Sequence, residues 1–210
     1  KDLGQTCYLI SRGGDRSILE GVDIQVADDP DDADFLIISG SDAPEKTIED
    51  YEPALRKAAR KRLKALCANP DSKAIIGQSY VMGAGTIARR YQDFGGVVHY
   101  IGKPHLPIFQ YCMKILQEKG IYPGETVMVG DTMSHDILGG FGANMDTCLV
   151  KNGLHAPVFR GVKDLTEFKK ALATLCAQYN NVQPTFMVDR FKWGKALPDR
   201  KHKKRAGTKR

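Results

Sequence analysis

Hydrophobic and polar residues follow two alternating patterns along most of the chain. Short apolar runs at 7–10 and 34–39 predict buried strands, whereas residues 49–66 carry apolar positions at helical spacing among good helix formers. Strand and helix signals that alternate in this way predict an α/β protein with a parallel sheet. The remaining signals predict a short strand and a turn at 64–71, strands at 97–104, 126–131 and 146–151, and helices at 85–95, 107–120, 134–144 and 164–179.

The alternation ends at about Asn180, and the charge of the chain changes soon afterwards. The sequence beyond Asn180 shows no periodicity, which predicts an extended arm. The net charge of the whole chain is +6, but residues 190–210 hold ten Lys and Arg and one Asp, a net charge of +9. The other 189 residues carry 21 basic and 24 acidic side chains. The body is therefore mildly acidic, and attraction of polyanions is expected of the tail only.

The overall composition is typical of a soluble globular protein, with 42% hydrophobic and 27% charged residues. No run approaches the roughly 20 apolar residues of a membrane span. No secretory signal is visible, and a start without Met indicates a processed or truncated product. The five cysteines are scattered and form no C-x-x-C pair, which argues against a disulfide framework or a zinc site. We therefore expect an intracellular, reducing compartment, either the cytoplasm or the mitochondrial matrix.

Two aspartates follow the strand predicted at 126–131. Asp131 comes directly after TVMVG, where the strand ends, and Asp136 lies one turn into the next predicted helix. Ligands of open parallel sheets bind beyond the carboxyl ends of the strands, and Mg²⁺ prefers carboxylate oxygens. We therefore predict a Mg²⁺ site at Asp131 and Asp136. The alternative is that Asp131 only caps the helix and that Asp136 is solvated.

A lysine closes another predicted strand. Lys103 follows VVHYIG and precedes Pro104 at a helix start, so its ammonium group is expected near the same sheet edge as Asp131. At that edge it would balance the carboxylates and hold a phosphate, although a single Lys here is also compatible with a surface turn. Residues 97–160 are expected to form one parallel βαβαβ unit with Lys103 and Asp131 at strand ends.

The order of these motifs resembles the haloacid dehalogenase superfamily of phosphohydrolases, in particular its NagD-like subclass with a large α/β cap. GKP at 102–104 is similar to the third motif of the family, and GDTMSHD at 130–136 is similar to the fourth. CANPD at 67–71 is similar to the Asn-Pro-Asp segment typical of this cap. Asn144 and Asn152 stand where the family usually has other residues. The resemblance covers roughly residues 5–160.

The resemblance assigns a role to each of the candidate site residues. It implies that Lys103 binds phosphate and a carboxylate, that Asp131 is a Mg²⁺ ligand and that Asp136 supports it. It also implies that Asn69 and Asp71 of the cap lie near a phosphorylated small molecule as substrate.

The resemblance also implies a fold and a division of the chain. The expected fold is α/β, with a Rossmann-like parallel sheet core that is incomplete at its N-terminus and an α/β cap lobe. The cap is expected at 1–92, the C-terminal part of the core at 93–180 and a basic extended tail at 181–210.

The sequence departs from the family at its first two motifs. The first motif is an Asp-x-Asp after a hydrophobic strand, whose first Asp is the nucleophile, and no Asp-x-Asp follows an apolar strand here. The acidic run at 28–34 precedes a strand and does not follow one. The second motif is a Ser or Thr at the end of a strand, and Ser39 does not supply it, because the strand that it ends belongs to the cap by motif order. We expect either that a missing segment or another chain completes the sheet, or that the sequence is a fragment of a longer protein; we favour the fragment.

The basic tail provides a different candidate function. Lys and Arg around a single Trp are typical of contact with RNA phosphates and a stacked base, although a solubilising or targeting tail is an alternative. The candidate RNA-binding residues are Lys192, Trp193, Lys195, Arg200, Lys201, Lys203, Lys204, Arg205, Lys209 and Arg210.

Two functions of different classes follow from the sequence. The first is a Mg²⁺-dependent phosphohydrolase of the haloacid dehalogenase type, represented here by its cap and the C-terminal half of its core. The second is a catalytically inactive relative that acts as a structural or RNA-binding component of a ribonucleoprotein, such as an organellar ribosome. Lys103, Asp131 and Asp136 favour the first function, whereas the missing nucleophile and the tail favour the second.

Overall fold

The computed structural model describes residues 3–77 and 79–192, which form ten strands and six helices. The strands are β1 Thr6–Ile10, β2 Gln25–Ala27, β3 Phe35–Ile38, β4 Lys64–Cys67, β5 Lys73–Ile76, β6 Ser79–Met82, β7 Val97–Tyr100, β8 Val127–Gly130, β9 Asp146–Val150 and β10 Phe186–Val188. The helices are α1 Ile48–Arg60, α2 Ala84–Asp93, α3 Leu106–Glu118, α4 Leu138–Gly142, α5 Ala156–Phe159 and α6 Leu165–Ala177, and a π-helical turn, Met133–Ile137, runs into α4.

The first lobe is built on a five-stranded parallel sheet with the order β2-β1-β3-β4-β7. All four residues of β3 are buried, as expected of a strand that is covered on both faces. One face packs on α1 and α2 through Leu36, Leu55 and Ile87, which are fully buried. The opposite face carries Cys7 and Phe35 in a smaller apolar cluster.

The second lobe is built on a three-stranded parallel sheet with the order β10-β9-β8. The central strand β9 is buried, and Leu149 packs with Met133, Ile137 and Leu175 in the core of this lobe. Within the described residues, β8 pairs with β9 only, so its other edge is unpaired. This lobe therefore presents an open sheet edge beside the Asp131 loop.

An antiparallel hairpin of β5 and β6 leaves the first lobe directly after the Asn-Pro-Asp segment. It connects β4 to α2, and it projects Lys73 and Tyr80 towards the second lobe, where they line a cleft with Asp131. The sequence pattern did not predict this hairpin, because none of its side chains that the structure describes is buried and most are exposed.

The α/β fold with a parallel sheet is confirmed, but two details of the prediction are wrong. Residues 97–160 do not form one βαβαβ unit, because β7 pairs with β4 in the first sheet and β8 belongs to the second. The segment after Asn180 is not entirely an extended arm, because β10 pairs with β9. The domain boundaries stay a prediction; the strands of the first sheet extend to Tyr100.

Two further observations concern covalent and membrane features. All five cysteines are free thiols, and only Cys112 is exposed. Among the described helices, none has the length and apolar character needed to cross a membrane.

Candidate active site

Asp136 is a buried carboxylate at the centre of the candidate site, with 4% of its side chain exposed. Its Oδ1 lies 2.5 Å from Lys103 Nζ, and its Oδ2 accepts a hydrogen bond of 3.1 Å from the Thr132 backbone N–H. Gly130 makes this arrangement possible, since a Cβ added there would lie 2.1 Å from Asp136 Cγ. Both oxygens of Asp136 are thus used to hold Lys103 and the loop after β8.

Asp131 lies at the carboxyl end of β8 and faces an open cleft. Its Oδ2 accepts a hydrogen bond of 2.9 Å from the Leu154 N–H, and the Thr132 hydroxyl lies 3.4 Å from its Oδ1. A Cβ added at Gly153 would lie 2.2 Å from Asp131 Cβ, so the backbone after β9 passes directly against this side chain. Asp131 is therefore oriented by the loop after β9 and keeps an oxygen available at the cleft.

Lys103 is held by the turn between β7 and α3. The rings of Tyr100 and His105 stack across this turn with their centroids 5.0 Å apart. Gly102 packs against the first lobe, since a Cβ added there would lie 2.4 Å from the Ala68 carbonyl oxygen. The side chain of Lys103 is 48% exposed, so one end of the ammonium group contacts Asp136 while the rest stays accessible to a ligand.

The Asn-Pro-Asp segment reaches the second lobe through one of its two polar side chains. Asp71 Oδ1 lies 3.1 Å from His135 Nε2, on the turn between Asp131 and α4. Asn69 has a local role, because its Oδ1 accepts a hydrogen bond of 3.0 Å from the Asp71 N–H. Asp71 is therefore brought to the candidate site, whereas Asn69 shapes the turn that carries it.

A cleft of about 550 Å³ lies between the two lobes. It is within the usual size range of small-molecule sites. Carboxylates of Asp131 and Asp71 and the ammonium group of Lys73 face it, and Tyr80 contributes an aromatic wall. The full lining consists of Asp71, Ser72, Lys73, Ala74, Tyr80, Asp131, Thr132, His135 and Leu154.

Sequence reasoning missed two histidines at this site. His135 contacts Asp71 across the two lobes, and no local pattern indicates that pairing. His155 is buried, and its Nε2 accepts a hydrogen bond of 3.1 Å from the Met133 N–H. Burial lowers the pKa of His155, while the charge of Asp131 opposes that shift. The position of His155 soon after the end of β9, a strand end like that of Asp131, was the available signal.

The donor set at the cleft is compatible with Mg²⁺ but supplies only part of its coordination shell. Within residues 3–77 and 79–192, no three His, Cys, Asp or Glu side chains cluster as a complete metal site. Mg²⁺ typically uses one or two carboxylates together with water and phosphate oxygens, so Asp131 Oδ1, which has only the long 3.4 Å contact with the Thr132 hydroxyl, fits that requirement. The assignment of both Asp131 and Asp136 to a metal site stays a prediction.

The candidate RNA-binding residues fall almost entirely outside the described part of the chain. Lys192 is its last residue, and it is exposed. Trp193 and the candidate residues that follow it, from Lys195 to Arg210, lie outside the described residues.

Comparison with known proteins connects this geometry to a family. A family model described as HAD-hydrolase-like matches residues 100–192. The chain is 28% identical over 150 residues to an acid sugar phosphatase of Staphylococcus epidermidis strain RP62A, which covers 71% of the chain and 55% of that protein. It is 30% identical over 151 residues to the 5'-nucleotidase YutF of Bacillus subtilis strain 168, which covers 70% of the chain and 55% of that protein.

The fold gives the same result. The crystal structure of a hydrolase of the haloacid dehalogenase-like family from Brucella suis 1330 superposes with a TM-score of 0.65 at 25% identity. The match covers 78% of the present chain and 62% of that structure. The chain spans about half the length of the curated relatives that it matches. These similarities and the arrangement of Lys103, Asp131 and Asp136 show that the chain belongs to the haloacid dehalogenase superfamily, in its NagD-like branch.

Proposed function

We propose that the chain supplies the cap and the phosphate-binding half of the active site of a Mg²⁺-dependent phosphomonoester hydrolase. The observation that carries this proposal is the contact between Lys103 and the buried Asp136, which also accepts a hydrogen bond from the N–H of Thr132, the residue after Asp131. A half-exposed ammonium group fixed by a buried carboxylate is preorganised to bind an anion. The relatives are named as an acid sugar phosphatase and a 5'-nucleotidase, which supports the same reaction.

Each residue has a distinct task in this proposal. Lys103 binds phosphate oxygens of the substrate, and Asp136 keeps its ammonium group in place. Asp131 offers a carboxylate oxygen to Mg²⁺, which when bound polarises a phosphoryl oxygen and offsets its negative charge. The organic part of the substrate lies in the cleft, where Asp71, Lys73 and Tyr80 contact it.

The nucleophile comes from a segment that pairs with β8. If a parallel strand paired with β8, a carboxylate at the carboxyl end of that strand would lie beside Asp131, because neighbouring parallel strands have their carboxyl ends on the same side of a sheet. The unpaired edge of β8, within the described residues, and the 44% exposure of Val127 support this placement. The exposed Tyr111 and Ile115 on α3 provide apolar surface in the same lobe.

Binding of Mg²⁺ and inorganic phosphate tests the proposed roles of Asp131 and Lys103 without any need for turnover. Calorimetric titration of the chain with both ligands together should give saturable binding. Asp131→Asn should weaken Mg²⁺ binding by about 10- to 100-fold. The matched control is Asp146→Asn, an exposed aspartate at the opposite end of the same sheet. Equal affinities in the two variants would remove Asp131 from the metal site.

A second candidate function is supported by the charge of the tail. The net charge of +9 over residues 190–210 favours binding of single-stranded RNA, in a ribonucleoprotein of the cytoplasm or the mitochondrial matrix. Four to six phosphate contacts would give log K against log salt a slope of roughly −3 to −5. Filter binding should show that deletion of 198–210 removes most of this slope and that Trp193→Ala costs about 1–3 kcal/mol. Equal binding by full-length and deleted protein would refute this function.

A further inference from the structure

The second lobe contains another cleft, of about 740 Å³, at the carboxyl ends of β9 and β10. It shares no lining residue with the cleft at Asp131. Helices α5 and α6 form one wall, and the residues that follow β9 and β10 form the other. The carboxyl ends of parallel strands are the usual position of ligands in such sheets.

The charges in this second cleft leave an excess of unpaired cations. Its two carboxylates are occupied: Asp189 Oδ1 lies 2.7 Å from Lys151 Nζ, and Asp164 Oδ1 accepts a hydrogen bond of 2.8 Å from the Glu167 N–H. Arg160, Lys163 and Arg190 also line the cleft, and none of them forms an ion pair with another described residue.

The cations lie on both walls of the cleft, with Lys151 and Arg190 on one and Arg160 and Lys163 on the other. The hydrogen bond from Lys151 lowers the pKa of Asp189, and the charge of Arg190 adds a smaller effect of the same sign. Arg160 ends the short α5 and Lys163 precedes the N-cap of α6, so both lie on the turn that faces these residues. An anion of two charges, such as a phosphate monoester, would find more donors here than the protein itself uses.

The same cleft has an aromatic wall. The rings of Phe159 and Phe168 are 5.7 Å apart at an angle of 32°, and both side chains are half-buried. Lys151 Nζ lies 5.2 Å from the centre of the Phe168 ring, so a cation adjoins the apolar surface. A flat ring stacked on this wall would place an attached phosphate among the cations.

We propose that this second cleft binds a nucleoside monophosphate, with its phosphate on Arg160, Lys163 and Arg190 and its base against Phe159 and Phe168. The proposal does not depend on the function assigned to the cleft at Asp131. A free nucleotide and one nucleotide of an RNA chain both carry a phosphate and a base. The structure assigns the site to the free nucleotide, because the volume of about 740 Å³ matches a small molecule.

Calorimetric titration of the full 210-residue chain with adenosine monophosphate, with EDTA present to remove divalent metal, tests the proposal. We expect saturable binding of one molecule. Arg160→Ala and Lys163→Ala should each weaken it by about 3- to 10-fold, since each removes an exposed charge-assisted contact. The matched control is Lys169→Ala, an exposed lysine of α6 outside the cleft, which should bind as the unchanged chain does.

Titrations with inorganic phosphate and with a short oligoribonucleotide distinguish nucleotide binding in this cleft from general binding of anions or of RNA. Phosphate should bind at least about five-fold more weakly than the nucleotide, and Phe159→Leu should reduce this difference because it removes a stacking ring but keeps apolar bulk. Three results would overturn the proposal: no saturable nucleotide binding up to about 1 mM, equal affinity in the cleft and control variants, or binding of the oligoribonucleotide alone.

Discussion

Asp136 is the side chain on which the geometry of the candidate site depends most. It is buried, it holds Lys103, and it accepts the Thr132 N–H that fixes the start of the following turn. Lys103 is half-exposed, so water can replace part of its contact with Asp136. The two partners of this ion pair should therefore contribute unequally to the stability of the lobe.

Substitution of the two partners should reveal this inequality. Asp136→Ala is expected to lower the free energy of unfolding by about 1–3 kcal/mol, because a part-buried N–H and a cation both lose their acceptor. Lys103→Ala should cost no more than about 1 kcal/mol, because screening by solvent weakens the contact of an exposed lysine. Urea denaturation measures both values. A larger cost for Lys103→Ala would show that Asp136 is not held as described.

His155 should make the stability of the protein dependent on pH. Burial lowers its pKa in the folded state below the value of about 6.5 expected in the unfolded chain. The unfolded state therefore binds more protons in this window, so stability is full above about pH 6.5 and falls as the pH is lowered. In urea denaturation at pH 7.5, 6.5 and 5.5, the free energy of unfolding of His155→Gln should fall less with decreasing pH than that of the unchanged chain. Identical pH dependence would exclude His155 as the cause.

Among the elements, the sequence predicted the strands β1, β3, β4, β7, β8 and β9, and it missed β2, β5, β6 and β10. β1, β3 and β9 have apolar runs because helices or loops cover both sides of their sheets. β2 and β10 have three residues each and are half-exposed, so no periodicity can distinguish them from loops. The sequence also could not predict which sheet each strand joins. The pairing of β7 with β4, for example, depends on packing across the whole first lobe.

In the candidate site, too, the sequence predicted what depends on local motifs and missed what depends on contacts between distant residues. Asp131, Asp136 and Lys103 were identified from strand ends and motif order, and the structure brings Lys103 and Asp136 into contact. The contact between Asp71 and His135 joins two lobes, so no local pattern indicates it.

The loop after β9 should control the orientation of Asp131. Gly153→Ala would place a Cβ 2.2 Å from Asp131 Cβ, and this collision should move the carboxylate and weaken Mg²⁺ binding by about 10-fold. The matched control is Gly124→Ala, where an added Cβ meets no atom within 4 Å. Calorimetric titration with Mg²⁺ and phosphate compares the two variants. Unchanged binding in Gly153→Ala would show that this loop does not orient Asp131.

At the scale of the whole molecule, the two lobes meet at the cleft that Asp131 lines. The hairpin of β5 and β6 and the Asn-Pro-Asp segment approach Asp131 from one side, and the open edge of β8 lies on the second lobe. Under the proposed function, the cleft holds the organic part of the substrate and Lys103 supplies the phosphate-binding group. The nucleophile is the part that the proposed function assigns to a strand added beside β8.

Phosphate release from p-nitrophenyl phosphate tests this account most directly. The chain would be joined at its N-terminus to a segment that carries a hydrophobic strand followed by Asp-x-Asp. We predict Mg²⁺-dependent turnover by the joined protein and none by the 210-residue chain alone. Asp131→Asn should lower that turnover at least about 100-fold, whereas Asp146→Asn should leave it unchanged. Turnover by the chain alone, or full activity of the joined protein with Asp131→Asn, would contradict the account.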